Sequence, residues 1–259
     1  MLAVIPWFEL PSLSLGPVTI QSFGVLSALG ILAAVSLCAR GARRLGKDPQ
    51  VILDYSVVGV LAGIVFGHLV HLFAYHSEEL REPWRIFKVW EGLSSMGGLA
   101  GGVIAAIFWF RMKRIRFHDY ADAFALGVAP GWGIARLGCF SVHDHPGVKT
   151  SFFLAVRFPD GPRHDLGLYE AILLFAIGAL VWTLHEKGVL RGRLLAVLAL
   201  IYGIGRFFLD FLRASDVVYA DARHHGLTFA QYASVALVGY ALWVFGRFRQ
   251  GTIAAPAAR

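Results

Sequence analysis

Apolar runs of about twenty residues, most of them closed by a short cluster of lysine and arginine, recur from residue 18 to residue 245. A helix needs roughly 20 apolar residues to cross a hydrocarbon layer. This repeated length therefore dictates an all-α integral membrane protein. Only 16% of the chain is charged, against roughly 25% in soluble domains. The spacing predicts seven spans, at residues 18–38, 51–75, 95–110, 120–140, 167–184, 194–212 and 228–245.

The net charge of +7 invites a nucleic-acid reading, but the basic residues stand in clusters between the apolar runs. Arg40, Arg43, Arg44 and Lys47 follow the first run, Arg111, Lys113, Arg114 and Arg116 the third, Lys187, Arg191 and Arg193 the fifth, Arg247 and Arg249 the last. Basic loops mark the cytoplasmic side of a membrane. The N-terminus is thus expected outside, the C-terminus in the cytoplasm, and no nucleic-acid partner is implied. Residues 1–259 read as a single integral domain. Within it, residues 1–17 carry Pro6, Pro11 and Pro17 and form a lead-in, residues 141–166 form an outer loop, and residues 250–259 an Ala- and Pro-rich disordered tail. In the outer loop, residues 151–158 read as an extended arm closed by a turn at 159–162. The start of the chain lacks a basic region, so no cleaved signal peptide is expected. Cys38 and Cys139 fall in different spans and predict no disulfide.

The fourth span is interrupted by Asp122, Gly127, Pro130, Gly131 and Gly133. It is expected to be broken, with its backbone satisfied by protein or a cavity. The span ends in Arg136, Cys139, His143, Asp144 and His145, a knot of ionisable side chains. An arginine at membrane depth costs about 2.5–3.5 kcal/mol on insertion scales and calls for an anion or a wet cavity. The alternative is an arginine snorkelling to the headgroups. On the sixth span, Tyr202, Arg206, Asp210 and Arg213 share one helix face. With Arg136 this positive stripe suits a phosphate, because guanidinium presents paired planar donors to phosphate oxygens. A structural Arg206–Asp210 pair is the plainer reading. The orientation gathers Arg136, the His143–His145 loop, His68, His71, Met96 and Arg213 toward the outer leaflet. Gly97-Gly98 and Gly101-Gly102 lack the strand and lysine of a phosphate loop, and permit close helix packing instead.

Several of these stretches resemble motifs of the prolipoprotein diacylglyceryl transferases of bacterial plasma membranes. The run from Trp90 through Met96-Gly97-Gly98 is similar to W-E-G-G-L-S-F-H-G-G-L with one residue fewer. Arg136-Leu137-Gly138-Cys139-Phe140 resembles G-R-x-G-N-F, with Ala135 for its first glycine. His164 with Leu168-Tyr169-Glu170 resembles H-P-S-Q-L-Y-E, and Tyr202-Gly203-Ile204-Gly205-Arg206 resembles Y-G-x-x-R. The family's histidine before the glycine pair is Met96 here, its signature asparagine is Cys139, and its following glutamate is Asp144. Its G-R-x-G-Y on the second helix is Gly67-His68-Leu69-Val70-His71, and its tyrosine before a first-helix glycine is Phe23.

The resemblance implies transfer of a diacylglyceryl group from phosphatidylglycerol to the thiol of a lipobox cysteine in a lipoprotein precursor, releasing glycerol phosphate. It implies a monomer among membrane lipids, in the bacterial inner membrane, with no cofactor. It places Arg136, Arg206, Asp144 and Tyr202 in catalysis, and His143 is added to them from the outer-loop histidines, with a headgroup-contact or structural role as its alternative. Substrate binding falls to Gly97, Gly98, Arg136, Gly138, Cys139, His164, Tyr169, Glu170, Arg206, Asp210 and Arg213. The thiol must lose a proton, which Met96 is unable to accept. Histidine suits that task, and of His143, His145 and His164 the first is preferred. Other readings stay open: a metal held by His68, His71 and His143 with the neighbouring Cys139, Asp144 and His145, a relative that binds lipid or precursor without catalysis, and a transferase with a different acceptor.

Overall fold

The computed structural model describes residues 5–15, 18–75, 77–89, 92–217, 220 and 223–249, without the side chains of 13–15, 18–20, 74–75 and 95–96. The expected disordered tail at 250–259 and the Trp90-Glu91 start of the glycine-pair motif lie outside the described residues. The chain is mostly helical. In order it runs β1 (Leu13–Leu15), β2 (Val18–Ile20), α1 (Ser22–Arg44), α2 (Pro49–Val70), α3 (Ser95–Met112), α4 (His118–Val142), β3 (Pro146–Lys149), β4 (Val156–Phe158), β5 (Gly161–Asp165), α5 (Leu166–Glu186), α6 (Leu194–Leu209), β6 (Arg223–His224), β7 (Leu227–Thr228) and α7 (Phe229–Arg249).

Six of these helices are long and apolar enough to cross a membrane, and α3 supplies a shorter apolar helix, Gly97–Met112. Each of the seven expected stretches overlaps a helix, but the first begins in β2 with α1 starting only at Ser22, and the second runs past the end of α2 at Val70. On α1, α2, α3 and α7, large apolar side chains such as Leu32, Val57, Phe108 and Leu242 are exposed, as suits helices bathed in lipid rather than water.

The described chain falls into two compact units, one of residues 42–120 and one of residues 1–41 with 121–259. In the first, α2 and α3 pack through the glycines. A Cβ at Gly97 would stand 2.5 Å from the Phe66 carbonyl oxygen, and one at Gly101 2.6 Å from that of Ala62. Gly97 is therefore a packing residue, while Gly98 meets its nearest neighbour only at 3.6 Å.

In the larger unit, α1 and α4 approach as closely, and a Cβ at Gly131 would lie 2.6 Å from the Gly30 carbonyl. Contrary to the expected break, α4 is one continuous helix from His118 to Val142 with Pro130 inside it. Proline removes the hydrogen bond that the carbonyl four residues earlier would accept. That carbonyl belongs to Leu126, and it accepts from the indole Nε1 of Trp182 on α5 at 3.0 Å. Asp122 is likewise employed: its buried carboxylate accepts from the amides of Gly192 (2.5 Å) and Leu194 (2.9 Å), satisfying the N-terminus of α6. Asp122→Ala is expected to cost about 1–3 kcal/mol by leaving these donors bare, measurable as a lowered unfolding midpoint in detergent.

The segment expected as an outer loop folds into a three-stranded antiparallel sheet in the order β3-β5-β4. The expected arm is extended only over Val156–Phe158, and Gly161, at φ +125°, turns it into β5. The lead-in joins this sheet: the Ile5 amide donates to Ala155 O (2.8 Å) and the Arg157 amide donates to Ile5 O (2.9 Å). At the far end α7 starts with a capping box, the Thr228 amide donating to Gln231 Oε1 (3.0 Å) and the Gln231 amide to Thr228 Oγ1 (3.3 Å).

Candidate active site

Helices α4, α5 and α6 bring the predicted arginines together around one carboxylate. Glu170, in the first turns of α5, is completely buried. Its Oε2 lies 2.8 Å from Arg136 Nε on α4, and its Oε1 lies 3.1 Å from Arg206 Nε on α6. The Tyr202 hydroxyl donates to Oε2 at 3.2 Å. Arg206 continues the chain, with Nη1 2.5 Å from Asp210 Oδ1, and Arg213 Nε reaches the same oxygen at 3.0 Å. The Thr228 hydroxyl donates to the other Asp210 oxygen. Arginine and carboxylate thus alternate, Arg136–Glu170–Arg206–Asp210–Arg213, leaving one excess positive charge. Burying charges is costly unless each is paired and hydrogen-bonded. The alternation gives every carboxylate an arginine partner, while Arg136 Nε and Glu170 Oε1 are in ion-pair contact without a hydrogen bond of good geometry among the described residues.

At the Arg136 end the guanidinium turns toward the outer loop. Its Nη1 lies 3.4 Å from Cys139 Sγ and 3.3 Å from His145 Nε2, while His145 Nδ1 pairs with the Asp144 carboxylate. Asp144, His145, Pro146, Arg213 and Ala214 line a cleft of about 140 Å³. Gly147 lets the loop pass: a Cβ there would stand 2.7 Å from both Leu212 O and the His164 side chain. Cys139, Asp144 and His145 present ligand atoms within 4.8 Å of one another. Arg136 stands among them, however, and its fixed positive charge favours an anion over a metal cation.

The sequence matches the prolipoprotein diacylglyceryl transferase family over residues 11–247. The chain belongs to that family. It is 33% identical over 247 residues to the phosphatidylglycerol–prolipoprotein diacylglyceryl transferase of Chromohalobacter salexigens, covering 91% of each chain. The protein of that name from Xanthomonas campestris pv. campestris is 31% identical over 94% of this chain and 92% of its own. The one from Oceanobacillus iheyensis is 26% identical over 93% and 88%.

In this family member, Arg136, Tyr202, Glu170, Arg206, Asp210 and Arg213 form one cluster with Asp144 and Cys139 beside it. Glu170, assigned to substrate by its motif, instead joins the two arginines directly. Gly138 serves packing, since a Cβ there would lie 3.1 Å from Phe23 O. His143, expected as the proton acceptor, is placed for a different task. Its Nδ1 lies 2.6 Å from Asp165 Oδ2, and its ring is enclosed by Trp7, Phe8, Phe140 and Phe158 at centroid distances of 4.5–5.5 Å. Its Nε2 is buried without a hydrogen-bond partner among the described residues. An imidazole walled in by aromatic rings offers no path for a substrate proton. Asp165 also caps α5, accepting from the Leu168 amide at 3.1 Å, so the His143–Asp165 pair ties the outer loop to the helix carrying Glu170.

His164, expected at the substrate, pairs through Nδ1 with the Tyr169 hydroxyl at 2.8 Å, and burial pushes its pKa down. The metal reading loses two ligands, because His68 faces the carbonyls of Gly92 (3.2 Å) and Arg85 (2.9 Å) and His143 is enclosed. The Met96 side chain lies outside the described residues.

Three residues the sequence reading passed over hold the outer loop. Buried Arg163 binds Asp160 (2.5 Å), Asp216 (2.7 Å) and the Gly147 carbonyl (3.1 Å). Its guanidinium holds both carboxyls below the ordinary range. Nothing local in the sequence links residues 53 positions apart.

Proposed function

We propose that this chain transfers the diacylglyceryl group of phosphatidylglycerol to the cysteine thiol of a lipobox-bearing lipoprotein precursor, releasing glycerol phosphate. The observation that carries this reading is the buried arginine chain with its single excess positive charge, on a chain of the transferase family. The phosphate of the donor lipid is taken by Arg136 and Arg206, assisted by Arg213. These groups stabilise the charge that grows on the departing phosphate oxygen, and being fixed in advance they need no reorganisation. Tyr202, Glu170 and Asp210 hold the arginines in place.

The protein is a multi-pass membrane protein of the bacterial inner membrane, acting as a monomer and a single integral domain. Seven helices cross it, with the N-terminus outside and the C-terminus in the cytoplasm. The basic clusters after the first, third, fifth and seventh spans support this orientation. It opens the site toward the outer leaflet, where the β3–β5 sheet forms an extracytoplasmic arm.

The test is direct. Purified protein in detergent, given phosphatidylglycerol labelled in its acyl chains and a lipobox peptide, is expected to label the peptide and release one glycerol phosphate per peptide. A serine in place of the peptide's cysteine should receive no label. Binding of lipid and peptide without either product would leave only a non-catalytic relative.

A further inference from the structure

We propose that His145, oriented by Asp144, is the group that takes the acceptor thiol's proton. This rests on the transferase reading above and adds a catalytic residue to it.

The outer loop holds three histidines with described surroundings, and two are engaged elsewhere: His143 is enclosed by aromatic rings with its Nδ1 on Asp165, and His164 pairs with Tyr169. His145 lines the cleft together with Arg213. Its two nitrogens face groups of opposite character. Nδ1 faces a carboxylate, which only accepts, so Nδ1 carries the proton and donates to Asp144. Nε2 faces a guanidinium N–H of Arg136 at 3.3 Å, which only donates, so Nε2 carries the lone pair. This is the carboxylate–imidazole arrangement in which the carboxylate fixes the tautomer and stabilises the imidazolium formed during proton transfer.

The same Arg136 nitrogen links proton transfer to lipid binding. A phosphate that comes in beside His145 and takes the Nη1 hydrogen bond withdraws it from Nε2, and the lone pair is then available to the thiol. The thiol sulfur attacks the glycerol carbon bearing the phosphate ester. A carbon–sulfur bond forms, the carbon–oxygen bond breaks, and its electron pair leaves on the phosphate oxygen. The thiol proton passes to Nε2 and then to the released phosphate, restoring neutral imidazole. Among the described residues, the charged and titratable groups facing the ring are Asp144 on its own loop, Arg136 and Cys139 from α4, Glu170 from α5 and Arg213 after α6.

The experiment uses the full chain in detergent with phosphatidylglycerol and a lipobox peptide. His145→Ala is expected to lower kcat by about 10²–10⁴-fold, the usual share of a general base, with phosphatidylglycerol binding unchanged. Added imidazole should restore part of that rate, since the deleted ring leaves space beside Arg136. A rate within tenfold of wild type, or a slow variant that imidazole does not speed, overturns the assignment. If His145→Ala loses lipid binding, His145→Gln is read instead, because its amide oxygen keeps an acceptor for Arg136. Slow transfer with normal lipid binding in that variant supports the proposal, and a wild-type rate overturns it. A wild-type protein that transfers nothing overturns the transferase reading and this role together, whereas an active His145→Ala removes only the role of His145.

Discussion

Arg206→Ala is expected to abolish measurable transfer. Removing one preorganised donor to developing oxyanion charge costs about 10²–10³-fold in turnover, and Arg206 does more than donate. It is the cation shared by two completely buried carboxylates, Glu170 and Asp210. Its loss turns the cluster's excess charge to zero and weakens the attraction for the lipid phosphate as well as its geometry. Arg206→Lys keeps the charge but reaches only one carboxylate at a time, so a small fraction of activity should return. Release of labelled glycerol phosphate measures both variants, with binding of phosphatidylglycerol followed separately. Full turnover in Arg206→Ala would refute the phosphate assignment.

Glu170→Gln should have the largest effect on stability. The amide has the carboxylate's shape but no charge, and it leaves Arg136 and Arg206 facing each other across a neutral group. Removing one member of a buried ion pair typically costs about 3–5 kcal/mol. The variant should unfold at a clearly lower temperature in detergent and show little transfer. A double-mutant cycle with Arg206→Met separates this from a general packing defect. Because the second change removes one of the stranded cations, the pair should lose less stability than the sum of the single changes. Strict additivity would mean that Glu170 and Arg206 are not coupled.

The helices were legible because lipid imposes one period and one length on every span, and α5 and α6 begin within a residue of the expected positions. Composition had less to say about what their polar residues do. Asp122 and Pro130 looked like interruptions of α4, yet each is answered by a partner far along the chain: the amides of Gly192 and Leu194 for one, the indole of Trp182 for the other. Such pairings leave no trace in local periodicity. Spacing along α6 put Arg206 and Asp210 on one face, but the fact that Glu170 joins Arg206 to Arg136 depends on how three helices cross. The enclosure of His143 was hidden for the same reason. Its two aromatic neighbours in the lead-in, Trp7 and Phe8, lie more than a hundred residues away in sequence. The Asp165 cap, by contrast, could have been read from an aspartate standing directly before an apolar helix.

The pairing of Ile5 with the backbone around Val156 bears on how the chain is made. A ribosome delivers residue 5 long before residue 156, so the first strand-forming residues must wait, unpaired, while four helices are laid down. Contacts so distant in sequence are the slow ones, because the intervening segment must be closed before they give any return. Assembly of the outer sheet, and with it the enclosure of His143, therefore belongs to the second half of synthesis. A polypeptide halted before β4 would hold its first four helices with the lead-in still unsheltered, a form that an added protease could distinguish from the finished enzyme.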